Sequence, residues 1–204
     1  MQAQHVLYPT THLVAPKSDL QKLYGPFMNQ LSEDDKQIIT SYTEGAKQFN
    51  EPLRQNQILS TEVLRLRQIL SKAPRLETSL HATRAVKSKR FLPNKTAGEQ
   101  FIEPAFISAS IAPVENFYIS SLSQFVNFDQ PCFLQLTIMP GVHILPIFMA
   151  SSMYPDQDEI LIPPNTQWTF QGYKTKLARD ISVNIPAQDK GKSVHLIYYE
   201  VAEP

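Results

Sequence analysis

Residues 151–168 read SSMYPDQDEILIPPNTQW, and no other stretch says more about the fold. A turn signal, Tyr154-Pro155-Asp156, feeds Gln157 and Glu159, which open the apolar run Ile160-Leu161-Ile162; Pro163-Pro164-Asn165 then closes it. Side chains at i and i+2 of a strand point to one face, so an amide and a carboxylate stand side by side here. On its own, the pattern better suits a solvated start of a strand with polar side chains.

Working outward, the same period of two recurs through the C-terminal two thirds. Strands are predicted at Ser79–Val86, Ala105–Ile111, Pro131–Met139, Glu159–Pro163, Gln167–Tyr173 and Val194–Val201. Turn signals separate them at Pro93-Asn94, Pro140-Gly141, Pro163-Pro164-Asn165 and Asp189-Lys190-Gly191. Before about Leu76 the period is helical. Leu20, Leu23, Phe27 and Leu31 follow a cap at Ser18, with Gly25-Pro26 expected to break the run. Ser32 and Asp35 resemble a capping box ahead of Ile38, Ile39, Tyr42, Ala46 and Phe49. A further helix, about Ser60 to Ser71, uses Val63, Leu64, Leu66, Ile69 and Leu70 and stops before Pro74. Helices first and strands after argue for an α+β fold in one domain over 1–204, helical over about 18–73 and β over about 76–202.

Composition narrows the chemistry. The 204 residues carry 19 Lys and Arg against 19 Asp and Glu, a formal net charge of zero. The long-range pull toward nucleic acid or anionic membrane is therefore missing, and neither is expected as a partner. The six glycines are too scattered to write a G-x-G-x-x-G or P-loop, and the five histidines form no H-E-x-x-H helix. The single cysteine, Cys132, supplies neither an internal disulfide nor a cysteine metal site. The longest apolar stretch, from Ile138, is too short to span a membrane, and MQAQHVLYPTTH lacks the charged and apolar regions of a signal peptide.

The aromatic-x-x-Gln-x-Glu segment from Tyr154 to Glu159 resembles the catalytic segment of mono-ADP-ribosyltransferases, closest to the small single-domain bacterial exoenzymes that modify Rho GTPases. Three further blocks resemble that family in its own order. They are LSEDDKQIITSYTEGAKQFNEPLRQN from Leu31, FISASI from Phe106 and SLSQF from Ser121. The resemblance covers roughly residues 31 to 200. It implies N-terminal helices packed on two mixed β-sheets, with NAD as co-substrate in the cleft between them and no metal.

The resemblance also implies roles. Glu159 would steady the oxocarbenium-like state formed as nicotinamide leaves ribose, with Ser108 fixing its rotamer. Without a glycine loop, the pyrophosphate falls to side chains, and guanidinium forks suit it. Arg84 and Arg54 match the family's arginines, and Asn50, Phe125 and Ser110 complete the cofactor set. Gln157, a neutral amide where arginine-modifying members carry Glu, points to asparagine or another neutral acceptor. Tyr154 sits where Rho-modifying members place the aromatic that packs on the GTPase. The implied protein is a monomer, a secreted or delivered effector acting in a host cytosol on a Rho-type small GTPase.

Three positions depart from the family pattern. Ala85 follows Arg84 where glycine is usual, Ala109 replaces the central threonine of Ser-Thr-Ser, and VNFDQP after Phe125 lacks an arginine. The basic run Lys87-Ser88-Lys89-Arg90 could supply that charge, although such runs are usually solvated loops. Two other readings therefore stand beside the first: the same domain acting on a different acceptor or as an NAD glycohydrolase, and a non-catalytic binding module.

Overall fold

A computed structural model of the chain describes residues 17–86, 96–112, 132–150, 158–181 and 190–204. Among the described residues, three α-helices precede seven strands. Helix α1 (Lys17–Gln30) buries Leu20, Tyr24 and Met28, one per turn. Contrary to expectation, it runs straight through Gly25-Pro26, and Ser18 lies inside its first turn rather than capping it. Pro26 and Lys22 are both exposed, so water can replace the bond that proline cannot donate to the Lys22 carbonyl. Helix α2 (Glu33–Arg54) starts where the capping box placed it. Ser32 is the N-cap, its Oγ accepts from the Asp35 N–H at 3.2 Å and donates to Asp35 Oδ2 at 2.9 Å. A kink at Gly45 (φ −145°, ψ 49°) lets one face stay inward along the whole length, and the helix survives Pro52 to end at Arg54. Helix α3 (Thr61–Lys72), capped by Ser60, packs Val63, Leu66, Ile69 and Leu70 inward.

Asp35 ties α2 to α3. Arg65 grips it with two bonds, Nε to Oδ1 at 2.6 Å and Nη2 to Oδ2 at 3.1 Å. Together with the cap, this holds the Asp35 carboxyl below its ordinary pKa, the Arg65 hydrogen bond contributing most.

The strands are β1 (Leu80–Val86), β2 (Gln100–Glu103), β3 (Ile107–Ser110), β4 (Cys132–Ile138), β5 (Glu159–Ile162), β6 (Thr166–Leu177) and β7 (Ser193–Ala202). Their order is β2-β6-β7-β4-β1-β3-β5, with β4 and β7 parallel and the other pairs antiparallel. The strands expected as two sheets are thus joined among the described residues into one ladder. The join is slight: β1 and β3 share one registered pair, Thr83 with Ser110. Five strands lie on one side of that junction and β3 with β5 on the other. The sequence reading missed β2, whose four residues are too few for a clear alternation. It also stopped β6 early, at Tyr173, because the exposed end of that strand carries lysines rather than apolar residues. Gly172, at φ 140°, sits at the register shift in β6 that opposes β7.

One core cluster joins the helices to the sheet, with Ile39, Leu66, Leu80, Leu134, Ile160 and Trp168 fully enclosed. Each such side chain contributes roughly 1.5–3 kcal/mol by leaving water. No helix among the described residues is long and apolar enough to cross a membrane.

A depressed carboxyl pKa adds stability above its ordinary value and loses it as pH falls through the lowered one. Asp35→Asn should therefore melt several degrees below the parent at pH 7, and the gap should close in acid. Thermal melts across pH, followed by circular dichroism, check this.

Candidate active site

Register places the site before any side-chain contact is considered. Ser110 lies directly opposite Glu159 across β3 and β5, and Ser108 opposite Leu161. Ser108, Ser110 and Glu159 therefore share one face, while Ala109 and Ile160, paired with each other, turn into the core. From across the β1–β3 junction comes Arg84. Its Nη1 donates to the Ser108 carbonyl and, at 2.8 Å, to Ser108 Oγ. The slight junction between the two parts of the sheet is thus bridged by a guanidinium.

Glu159 opens β5 and is largely withdrawn from water, which raises its carboxyl pKa. A hydrogen bond from Ser108 and the charge of Arg84 oppose that rise without cancelling it. The result is a carboxylate that is fixed in place and poorly hydrated. Just before it, Asp158 adopts φ 42°, a left-handed conformation that aspartate tolerates better than most residues. The Asp158 carbonyl accepts from the Ile111 N–H at 3.1 Å, and its side chain pairs with Lys17 of α1. Asp158, the residue that leads into Glu159, is thus held from two sides.

Helix α2 closes the site from behind. Tyr42 is 2% exposed, and its ring meets Phe49 and Phe106 edge-on at 5.5 and 5.8 Å. Its hydroxyl accepts from Asn50 Nδ2 at 3.5 Å, and it senses Ser108, Arg84 and Glu159. Burial raises the Tyr42 pKa most, the Arg84 charge opposes, and Glu159 adds to the rise. Asn50, 3% exposed, accepts through Oδ1 from the Phe106 N–H at 3.0 Å. Its amide therefore faces the start of β3 from inside the fold. Arg54, one turn on, is exposed and pairs through Nη2 with the buried Glu103 at 3.4 Å.

Of the residues named from sequence, Glu159, Ser108 and Arg84 come together, Ser110 lies beside them, and Asn50 and Arg54 line the end of α2. Ser110 is buried, and its Oγ accepts from the Ala112 N–H at 3.1 Å. Gln157, Tyr154 and Phe125 lie outside the described residues, as do Lys87–Arg90. Sequence reasoning missed Tyr42 and Glu103 as site residues. Tyr42 precedes Asn50 by eight, two turns on one face, which was a usable signal. Among the described residues, no three His, Cys, Asp or Glu side chains converge as metal ligands.

A profile of the ADP-ribosyltransferase exoenzyme family matches residues 20–195. The chain belongs to this ADP-ribosyltransferase exoenzyme family. Solved structures of such toxins share its fold. Plx2a from Paenibacillus larvae superposes with TM-score 0.70 at 19% identity, over 91% of this chain and 94% of its own. The C3 exoenzyme of Clostridium limosum gives 0.62 at 17%, over 91% and 92%. BECa of a C. perfringens binary enterotoxin, solved with NADH, gives 0.67 at 13%, over 91% of this chain and 47% of its own. No curated protein sequence matches the chain.

The protein is an NAD-dependent ADP-ribosyltransferase, with NAD as co-substrate. What such an enzyme must do is stabilise positive charge on a ribose carbon while nicotinamide departs. A rigid carboxylate with little hydration is suited to that, because its field is not screened by water and needs no reorganisation.

A raised carboxyl pKa has the opposite stability sign to that of Asp35: its contribution is present below the ordinary value and lost as pH rises through the raised one. Glu159→Gln, which keeps the shape and removes the charge, should melt higher than the parent at pH 7, and the gap should close as the pH is lowered into acid. Tyr42→Phe should keep the fold and lower NAD turnover about tenfold by loosening Ser108. Melting curves and nicotinamide release measure the two.

Proposed function

We propose that the enzyme transfers ADP-ribose from NAD to an asparagine side chain of a Rho-type small GTPase, releasing nicotinamide. One observation carries the chemical half of this reading: the Glu159 carboxylate, braced by Ser108 and neighboured by Arg84, with its pKa raised by burial. In the proposed mechanism, Glu159 accepts a hydrogen bond from a ribose hydroxyl and steadies the oxocarbenium-like state. Ser108 keeps its rotamer. Arg84 and Arg54 hold the pyrophosphate, while Asn50 acts on the site by fixing the start of β3. Ser110 borders the ribose side of the face, and Phe125 packs against the nicotinamide end. No metal takes part, since nicotinamide leaves as a neutral base.

The acceptor half rests on Gln157 and Tyr154. Gln157 stands two residues before Glu159 in the sequence, as in the family's Gln-x-Glu segment that this stretch resembles. A carboxamide pairs with another carboxamide through one donor and one acceptor, and it has no charge to attract a guanidinium. Tyr154 would dock the GTPase, since aromatic side chains often anchor protein partners. The protein would work as a monomer, as a secreted or delivered effector in a host cytosol.

The test is incubation with labelled NAD, with and without cell lysate. Label on a protein of small-GTPase size, and an ADP-ribosylated asparagine by mass spectrometry, is the expected result. Free nicotinamide without labelled protein would favour the glycohydrolase reading, and no turnover the binding module. Glu159→Gln is expected to reduce turnover by about 10²–10³-fold. The acid limb of the parent's pH profile should lie above the ordinary glutamate range, because the carboxylate must be ionised to act. Gln157→Glu should keep nicotinamide release while lowering transfer to asparagine, read as the ratio of the two products.

A further inference from the structure

The end of α2 is fastened at two points to the segment that leads into β3. Asn50 takes the Phe106 N–H, and Arg54 takes the Glu103 carboxylate. The second contact is asymmetric. The Glu103 side chain is 3% exposed, whereas that of Arg54 is 34% exposed. Glu103 is held by its backbone, opposite Thr166 in the β2–β6 ladder, and its carbonyl accepts from the Asn165 N–H at 2.7 Å. Asn165 belongs to the turn that follows β5, the strand carrying Glu159. A long arginine side chain at a helix end would otherwise sample many rotamers. A rigid anion therefore restrains a longer, more exposed cation, and its own backbone is bonded to the turn that leads out of the strand carrying Glu159.

We propose that Glu103 is a positioning residue for Arg54. By holding Nη2, it orients the guanidinium so that its other N–H groups present to an anionic ligand, the pyrophosphate of NAD. Among the described residues, Arg54 bonds only to Glu103, so those N–H groups are not used within the described fold. This rests on the reading that Arg54 holds the pyrophosphate. The carboxylate also removes positive charge from the site, so the opposite outcome is physically available: if charge alone mattered, losing Glu103 would tighten NAD binding.

The experiment measures kcat and KM for NAD hydrolysis by the full chain without acceptor, in Glu103→Gln, Arg54→Gln and the double variant. Glu103→Gln should raise KM about tenfold with kcat changed less than about threefold. In the Arg54→Gln background the same change should alter KM less than about twofold, since its effect runs through Arg54. An unchanged or lowered KM in Glu103→Gln, with KM raised in Arg54→Gln, overturns the positioning role and leaves Arg54 as a ligand. An unchanged KM in Arg54→Gln overturns both. Equal rises from Glu103→Gln in both backgrounds would assign Glu103 a merely structural role. Should Glu103→Gln not fold, Glu103→Asp keeps the charge and shortens its reach; a smaller rise in KM supports the proposal and an unchanged KM ends it.

Discussion

A carboxylate moved out of water loses hydration worth many kcal/mol unless nearby dipoles and charges replace it, and proteins usually avoid the cost by protonating the group or exposing it. Glu159 is only partly compensated. Ser108 donates one hydrogen bond and Arg84 supplies a positive charge, yet burial still raises its pKa. On the proposed reading, the incomplete compensation is what makes the group useful, because a fully satisfied carboxylate has little left to offer a cation. Most of the surrounding architecture serves to hold it there: the left-handed Asp158 that aims it, the Ser110 register opposite, and the Tyr42–Asn50 layer behind Ser108.

The site also explains why the two parts of the sheet are joined so lightly. A long β1–β3 ladder would fill the space between Arg84 and Ser108 with backbone hydrogen bonds. With only Thr83 and Ser110 in register, the strands diverge, and the Arg84 side chain crosses the gap to reach the Ser108 carbonyl and hydroxyl. Helix α2 then acts as a brace that touches β3 through Asn50 and the end of β2 through Arg54. Helical layer, open junction and site form one mechanical unit.

The helices and most strands were legible because period and caps are local properties. Ser32, Asp35 and Ser60 act at the ends of α2 and α3 as short-range hydrogen-bond chemistry dictates. What the sequence hid was set by distant partners. Pro26 reads as a breaker, but the Tyr24 and Met28 flanking it are enclosed by the rest of the core, and tertiary packing outweighs one missing hydrogen bond. Strand β2 is too short to show a period, yet it exists because β6 offers a partner edge. Glu103 illustrates the same limit in the site. Alternation puts it on the face of Phe101, which turns toward Trp168 and Tyr199, but nothing nearby in sequence announces that Arg54 arrives to meet its charge.

Two of the departures from the family pattern look different once faces are assigned. Ala109 pairs with Ile160 and is 3% exposed in the main core, on the side of β3 away from Ser108 and Ser110. A hydroxyl there would need a partner inside an apolar layer, and a methyl group needs none. Ala85 packs against a second apolar cluster of Phe133, Ala178, Val194 and Leu196. It is the neighbour of Arg84 in sequence but turns to the other side of β1, as strand alternation requires. Neither alanine removes a group from the face that holds Glu159. Both substitutions exchange polarity or backbone freedom for packing behind the site. Losses there would act on the stability of β1 and β3, whereas the arrangement of Arg84, Ser108 and Glu159 on the other face is left as the proposed chemistry needs it.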